Sequence, residues 1–181
     1  ESDSYMCISD FVAPKSSGVK DHIGFFGTAC FGISEMCDKY EKEEHHVFNG
    51  MLIKAIGDRL AEALAEYIHE KVRTELWGFA KDSFEVEDML KVKYQGIRPA
   101  FGYPTQPDHT ETRNMWEMLN ITERTGIELS ESNMMIPGAA VSGMIFSHPQ
   151  SKYFQVGKLD VDQVIDYAKR KNMKKDQIEA C

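Results

Sequence analysis

Between Arg98 and Glu111 the chain concentrates groups that could recognise a small molecule: Arg98-Pro-Ala-Phe-Gly-Tyr-Pro-Thr-Gln-Pro-Asp-His-Thr-Glu111. Three of its six prolines fall here, at Pro99, Pro104 and Pro107. Each fixes its own φ and pushes the residue before it toward extended backbone. Arg98, Tyr103 and Gln106 are therefore biased to extended geometry. Gly102 lets the chain bend or lets a ligand approach the backbone. A guanidinium can fork a carboxylate through two parallel hydrogen bonds, which lysine cannot copy. A tyrosine ring can pack on a flat or sugar-like group and still satisfy its hydroxyl. A stiff loop with one cation and one amphipathic ring suits a small anionic or zwitterionic ligand. It equally suits a rigid crossover between two helices, since such loops often carry function but need not. The spacing Asp108-x-x-Glu111 predicts a helix start of the capping-box type.

A second set of candidates is carboxylate. Asp58, Glu62 and Glu66 are spaced i, i+4, i+8, so they line one side of any helix that holds them. That row could face a ligand, or be a solvated face paired in part with Arg59. His45-His46 sits in an acidic stretch and reads as a solvated loop rather than a metal site. Cys7, Cys30, Cys37 and Cys181 form no Cys-x-x-Cys pair, so zinc-ribbon spacing is absent. Cys7 and Cys30 lie in apolar runs and read as small core residues. There is no Gly-x-Ser-x-Gly and no P-loop, and Gly24, Gly27 and Gly32 form no dinucleotide fingerprint. An acyl or phosphoryl mechanism therefore finds no support, and we expect no resident metal.

These groups must be positioned by one domain. The chain has 181 residues, 42% apolar and 28% charged, which is a globular composition with enough length for a real core. No apolar run approaches a membrane span and no secretory signal opens the chain. A net charge of −8 argues against broad binding to nucleic acid. Ten methionines and free thiols fit a reducing cytoplasm.

Taken in order, Tyr5 to Ala13 is a short β-prone run. Ile23 to Phe31 reads as a buried strand, with Phe25 and Phe26 on opposite faces. Ser34 to Tyr40 reads as a short helix capped by Ser34, and Glu41 to Glu44 as a charged surface run. Val47 to Trp77 reads as one long helix without proline. Its apolar stripe is Leu52, Ile56, Leu60, Leu64, Ile68, Val72 and Leu76, widened by Ala55, Ala63 and Tyr67. Lys81 to Ser83 is a turn and Val86 to Val92 a short helix. A helix from Asp108 to Arg124 stops at Gly126. Ile127 to Ser132 and Val141 to Phe146 are strands, and Pro137-Gly138 between them predicts an antiparallel hairpin. Ser151 to Lys158 reads as a strand, and Asp160 caps a helix. Met173 to Ala180 begins a last helix.

The central loop resembles the signature of the reactivation domain of cobalamin-dependent methionine synthase. The resembling residues are Arg98-Pro-Ala-x-Gly-Tyr-Pro and Pro107-Asp-His-Thr-Glu111. Lys54-Ala-Ile-Gly-Asp-Arg-Leu-Ala-Glu-Ala-Leu-Ala-Glu66, Pro137-Gly-Ala-x-Val-Ser-Gly143, Phe146-Ser-His-Pro149 and Ser151-Lys-Tyr-Phe154 follow the family pattern too, so the likeness covers nearly the whole chain. It departs at Phe101, where the family usually has proline, and at Phe154, where a second tyrosine is common.

The resemblance implies an α+β fold: a twisted antiparallel sheet with packed helices in a bent, C-like outline. It implies a single domain over residues 1–181 that binds S-adenosylmethionine and supports methionine biosynthesis within a methyltransferase. Arg98, Ala100, Tyr103, Tyr153, Phe154 and Glu62 would contact that cofactor. Asp58 would face the cobalamin-binding domain, which carries cobalamin separately. In the family, cobalt that has oxidised to cob(II)alamin takes one electron from flavodoxin or a methionine synthase reductase and the methyl group from S-adenosylmethionine. The protein's part is positioning. The family's domain also has a part before Glu1 that carries an aspartate for the ligand amine, so this chain is expected to be incomplete as an enzyme. A reading from another class is a module that docks a cobalamin domain or reductase without binding S-adenosylmethionine.

Overall fold

A computed structural model describes residues 5–43, 45–81 and 85–179. The first segment is not a strand. Ile8–Phe11 forms a 3-10 turn, because the Asp10 carboxylate accepts the Cys7 N–H at 2.8 Å and closes the backbone locally. The turn delivers Phe11 to the core and leaves Cys7 exposed; among the described residues the buried cysteine is Cys37. Strand β1 (Gly24–Ala29) follows, then helix α1 (Ile33–Asp38), whose N-cap position is held by Gly32 rather than Ser34. Helix α2 (Val47–Lys71) continues as a wider π turn over Val72–Leu76, as the proline-free run predicts. Beyond it lie α3 (Val86–Leu90), α4 (Glu111–Leu119) and α5 (Ile121–Thr125). The expected single helix to Arg124 breaks at Asn120, which takes a left-handed φ of 51°. Strands β2 (Glu128–Leu129), β3 (Met135–Ile136) and β4 (Ala140–Ile145), then helices α6 (Val161–Lys171) and α7 (Lys175–Ile178), complete the order. Glu44, Ser83 and Ala180, which end three of the expected segments, lie outside the described residues.

The sheet pairing corrects the expected hairpin. β2 pairs with β3 through the turn at 130–134, whereas β4 crosses to pair antiparallel with β1, from Gly24 opposite Ile145 to Ala29 opposite Ala140. Pro137-Gly138 therefore separates two sheets instead of joining two paired strands. The remaining edge of β4 is taken by the start of the central loop. Ile97 and Phe146 exchange backbone hydrogen bonds at 3.1 and 3.0 Å, and Met144 N–H donates to the Pro99 carbonyl at 2.9 Å. Arg98 is thus held between two residues that are bonded to the sheet. Gly143 permits this approach: a Cβ there would sit 2.6 Å from the Pro99 carbonyl oxygen. The run over 151–158 forms no strand; it lies along the central loop, with Val156 N–H on the Pro104 carbonyl at 3.0 Å.

As expected, Phe25 and Phe26 serve opposite faces of β1. Phe26 packs with Ala65 and Ile145 under α2, and Phe25 packs toward Met115, Trp116, Ile121 and Ile127. The seat of α2 is not its large apolar stripe. Its buried positions are Gly50, Gly57, Ala61, Ala65 and His69, while Leu52, Ile56, Leu60 and Leu64 stay 41–54% exposed. Small residues let the helix axis come close. A Cβ on Gly57 would meet Ile33 at 2.7 Å, and the Thr28 hydroxyl reaches the Ala61 carbonyl at 3.1 Å. Both stripes repeat every four residues, so periodicity cannot say which one faces inward; close packing selects the small one.

Candidate ligand-binding site

α2, the central loop, the start of β4 and residues 153–155 enclose a cleft of about 1350 Å³. Its walls include Asp58 and Glu62 from α2, Arg98, Ala100 and Tyr103 from the loop, and Tyr153 and Phe154 beyond β4. The structure thus brings all seven sequence-predicted residues to one cavity. Ala61, Gly138, Ala140 and Ser142 keep the floor low. A second cavity, about 820 Å³, lies on the other side of Phe101 and is mainly apolar. Both acidic residues in its lining are engaged, Asp10 with the Cys7 N–H and Glu111 with Lys171.

Arg98 is the best-defined group in the cleft. Its backbone N–H donates to the Tyr153 hydroxyl at 3.0 Å, and its Nη2 donates to Oε2 of Glu66. Burial works against the Arg98 cation, but the charge and hydrogen bond of Glu66 outweigh it and the pKa is raised. Burial also raises the Tyr153 pKa, so the phenol stays protonated. Deeper in, Arg73 is fully buried. Its Nη1 donates to Nδ1 of His69 at 3.1 Å, and its guanidinium lies 3.9 Å from the centre of the Tyr94 ring. Arginine has no acceptor, so Nδ1 of His69 must be the unprotonated nitrogen and Nε2 carries the hydrogen. Burial first, and then the charges of Arg73 and Arg98, push the His69 pKa down to about 3. Burial pushes Tyr94 up to about 12. Oε1 of Glu66, Nε of Arg98, Nε and Nη2 of Arg73 and Nε2 of His69 are buried without a hydrogen-bond partner among the described residues.

Glu62 is arranged differently. It takes both ends of the Arg59 guanidinium, at 2.8 and 3.1 Å, and both side chains are more than half exposed. Asp58 is exposed one turn earlier. Tyr103 is 65% exposed at the cleft mouth, where its ring has no core to fill.

The loop that carries Arg98, Ala100 and Tyr103 is pinned at several points. Gly102 bends it at a φ of +83°, where a Cβ would come within 2.9 Å of the His109 ring. Gly102 N–H donates to the Gln106 carbonyl at 2.8 Å, and Gln106 N–H donates to the Tyr103 carbonyl at 2.8 Å. The Thr105 hydroxyl reaches the Phe154 carbonyl at 2.8 Å. At the far end, Asp108 does not cap α4 as its spacing predicts. The N-cap position belongs to Thr110, and Asp108 accepts from Thr110, Tyr167 and Lys171. Burial works against the Asp108 carboxylate, yet the bonds from Lys171, Thr110 and Tyr167 win and hold its pKa near 2. This ties the loop to α6.

His69, Arg73 and Tyr94 escape a reading by motif. Glu66 stands in the Asp58–Glu62–Glu66 row, but its partner is 32 residues away and could not be read from that spacing. Among the described residues no three His, Cys, Asp or Glu side chains are grouped to hold a metal ion, and no helix is long and apolar enough to cross a membrane.

Two comparisons bear on this cleft. The family model described as vitamin B12 dependent methionine synthase, activation domain, matches residues 1–172. A solved structure titled as the MetH reactivation domain bound to AdoHcy superposes with a TM-score of 0.92 at 48% identity. The match covers 96% of this chain and 54% of the other, so the chain spans about half the length of that related structure.

Proposed function

The chain belongs to the activation-domain family of vitamin B12-dependent methionine synthase, and from that premise we propose that its cleft binds S-adenosylmethionine for the reductive methylation of a cobalamin carried on another domain. The observation that carries this reading is the meeting of Arg98, Glu62, Tyr103 and Tyr153 in one cavity, in a fold whose close relative holds AdoHcy. AdoHcy is what remains of S-adenosylmethionine once its methyl group has left.

The residues present fit such a ligand. A forked carboxylate needs a planar cation, and Arg98 lines the cleft while its Nη2 is held by Glu66. Glu62 can accept from an ammonium or a ribose hydroxyl. Tyr103, Tyr153 and Phe154 offer rings for the adenine or the sugar. Gly102 spends its N–H inside the loop, which leaves recognition of the adenine edge to the neighbouring backbone at Ala100 and Phe101. When bound, S-adenosylmethionine supplies the methyl group, and a reductase or flavodoxin supplies the electron. This chain's residues bind and orient; no acid, base or nucleophile is required of them. In this proposal the chain works in the cytoplasm, as part of an enzyme that makes methionine from homocysteine.

Titration calorimetry of the 181-residue chain with S-adenosylmethionine and AdoHcy tests the reading. Arg98→Lys should bind either ligand some thirtyfold more weakly, about 2 kcal/mol for a lost charge-assisted fork, with the fold intact. A wild-type chain that binds neither ligand overturns the reading. That result would favour docking to a cobalamin domain without the ligand, a role to which the exposed apolar side of α2 lends support.

A further inference from the structure

We infer that Glu66 is a positioning residue of the ligand site: by accepting one hydrogen bond from Nη2 of Arg98, it holds the guanidinium at the cleft wall for a ligand carboxylate. The inference rests on the S-adenosylmethionine reading of the cleft.

The backbone of Arg98 is fixed from both sides, by the Ile97–Phe146 pair and by the Pro99 carbonyl on Met144. Its side chain is not fixed by the sheet. A free arginine has wide rotamer freedom, and a ligand that must first order it binds more weakly. Glu66 supplies that order in advance. It projects from α2 between fully buried Ala65 and buried His69, so its own base is rigid. The pair is only about one-quarter exposed, at 23% for Arg98 and 27% for Glu66. Water therefore screens it less than the Arg59–Glu62 pair at the rim.

The contact is also incomplete in an informative way. A carboxylate that took both Nε and Nη2 would close the fork and spend two donors on an internal partner. Here Nε of Arg98 and Oε1 of Glu66 are both buried and unbonded, so the two groups meet at a single point. Glu66 orients the guanidinium without using up its donors. Arg59 and Glu62, by contrast, are joined at both ends and leave less for a third group.

The test compares Glu66→Ala and Glu66→Gln with the wild-type chain, using two probes: AdoHcy, which has the carboxylate, and 5′-methylthioadenosine, which keeps the nucleoside and lacks the amino acid. Glu66→Ala should bind AdoHcy about tenfold more weakly and bind 5′-methylthioadenosine within about twofold of wild type, because only the former uses Arg98. Glu66→Gln keeps an acceptor and should recover most of the AdoHcy affinity, to within about threefold. Unchanged AdoHcy affinity in Glu66→Ala overturns the inference alone. So does an equal loss for both probes, which would mark a merely structural role. A glutamine variant as weak as the alanine variant also overturns it, since the acceptor would then not be what matters. A wild-type chain that binds neither probe removes the underlying reading instead, and this inference with it.

Discussion

The two ends of the central loop are held by clusters of charge with opposite degrees of completion. At the Asp108 end the bonds are filled. Lys171 Nζ reaches Asp108 at 2.6 Å, Glu111 at 2.6 Å and Thr110 at 2.9 Å, one partner for each of its hydrogens. Asp108 accepts from Thr110, Tyr167 and Lys171. At the Arg98 end, Arg98, Glu66, Arg73 and His69 leave five buried polar atoms without partners among the described residues. A buried polar group left unbonded costs free energy unless something arrives to bond it. The filled cluster is a clamp that fixes where the loop ends. Of the unfilled cluster, Arg98 lines the cleft, while Glu66, His69 and Arg73 are not among its lining residues. One loop is thus made rigid by one set of ions and kept receptive by another.

The sharpest way to break the clamp is Lys171→Ala. It strands Asp108 and Glu111 next to each other with no cation, and removing one partner of a buried pair costs about 3 kcal/mol or more. Urea unfolding should show a loss of that order, and Asp108→Asn in the same chain should restore part of it by removing the orphaned charge. If Lys171→Ala unfolds at the wild-type midpoint, the cluster is decoration and the contrast between the two ends fails.

Acid separates the two clusters by pH window. The His69 pKa is depressed from the ordinary 6.5 to about 3, so the unfolded chain takes up that proton first. The stability tied to neutral His69 is present above about pH 6.5 and is lost as pH falls toward 3, at up to about 1.4 kcal/mol per pH unit. Protonation would also remove the acceptor for Arg73 and set two cations face to face. Asp108 is depressed from 3.8 to about 2, so its contribution is present above pH 4 and is lost only between roughly 4 and 2. Stability should therefore start to fall below pH 6.5, and His69→Gln should flatten that first limb and leave the second. A curve that is flat from pH 7 to 5 would show that His69 is not the buried neutral group its surroundings imply.

Much of the cleft was legible in the sequence because its residues carry their chemistry in local runs. The proline-fixed loop, Gly102 at a positive φ, the strand at β1 and the proline-free α2 follow from backbone rules. What the sequence hid is whatever depends on distant partners. Two stripes run along α2 at the same spacing, and nothing local says that Ala61 and Ala65 face inward while Leu60 and Leu64 do not. The crossing of β4 to β1 overrode the hairpin that Pro137-Gly138 advertises. Asp108 has the spacing of a helix cap, yet Lys171, 63 residues on, gives it a stronger bond. Arg98 and the carboxylate row are each legible in the sequence, but the pairing of Arg98 with Glu66, 32 residues apart, is not.

The carboxylate row on α2 offers the smallest and most discriminating test, because its members differ mainly in depth. Glu66 is three-quarters buried against Arg98, Glu62 shares Arg59 at the half-exposed rim, and Asp58 is exposed a turn earlier. A ligand in the cleft should feel them in that order. Glu62→Gln removes an acceptor for an ammonium or hydroxyl, but Arg59 already occupies much of that carboxylate and water screens it. We expect a loss of AdoHcy affinity of about fivefold, roughly 1 kcal/mol. Asp58→Asn should leave binding by this chain unchanged and, on the proposed function, slow methyl transfer only in an enzyme that also carries a cobalamin domain. Calorimetry on the chain and a turnover assay on the assembled enzyme read the two effects separately. If both carboxamides match wild type in both assays, the outer two-thirds of the row is a solvated face, and the ligand chemistry of α2 begins only at Glu66.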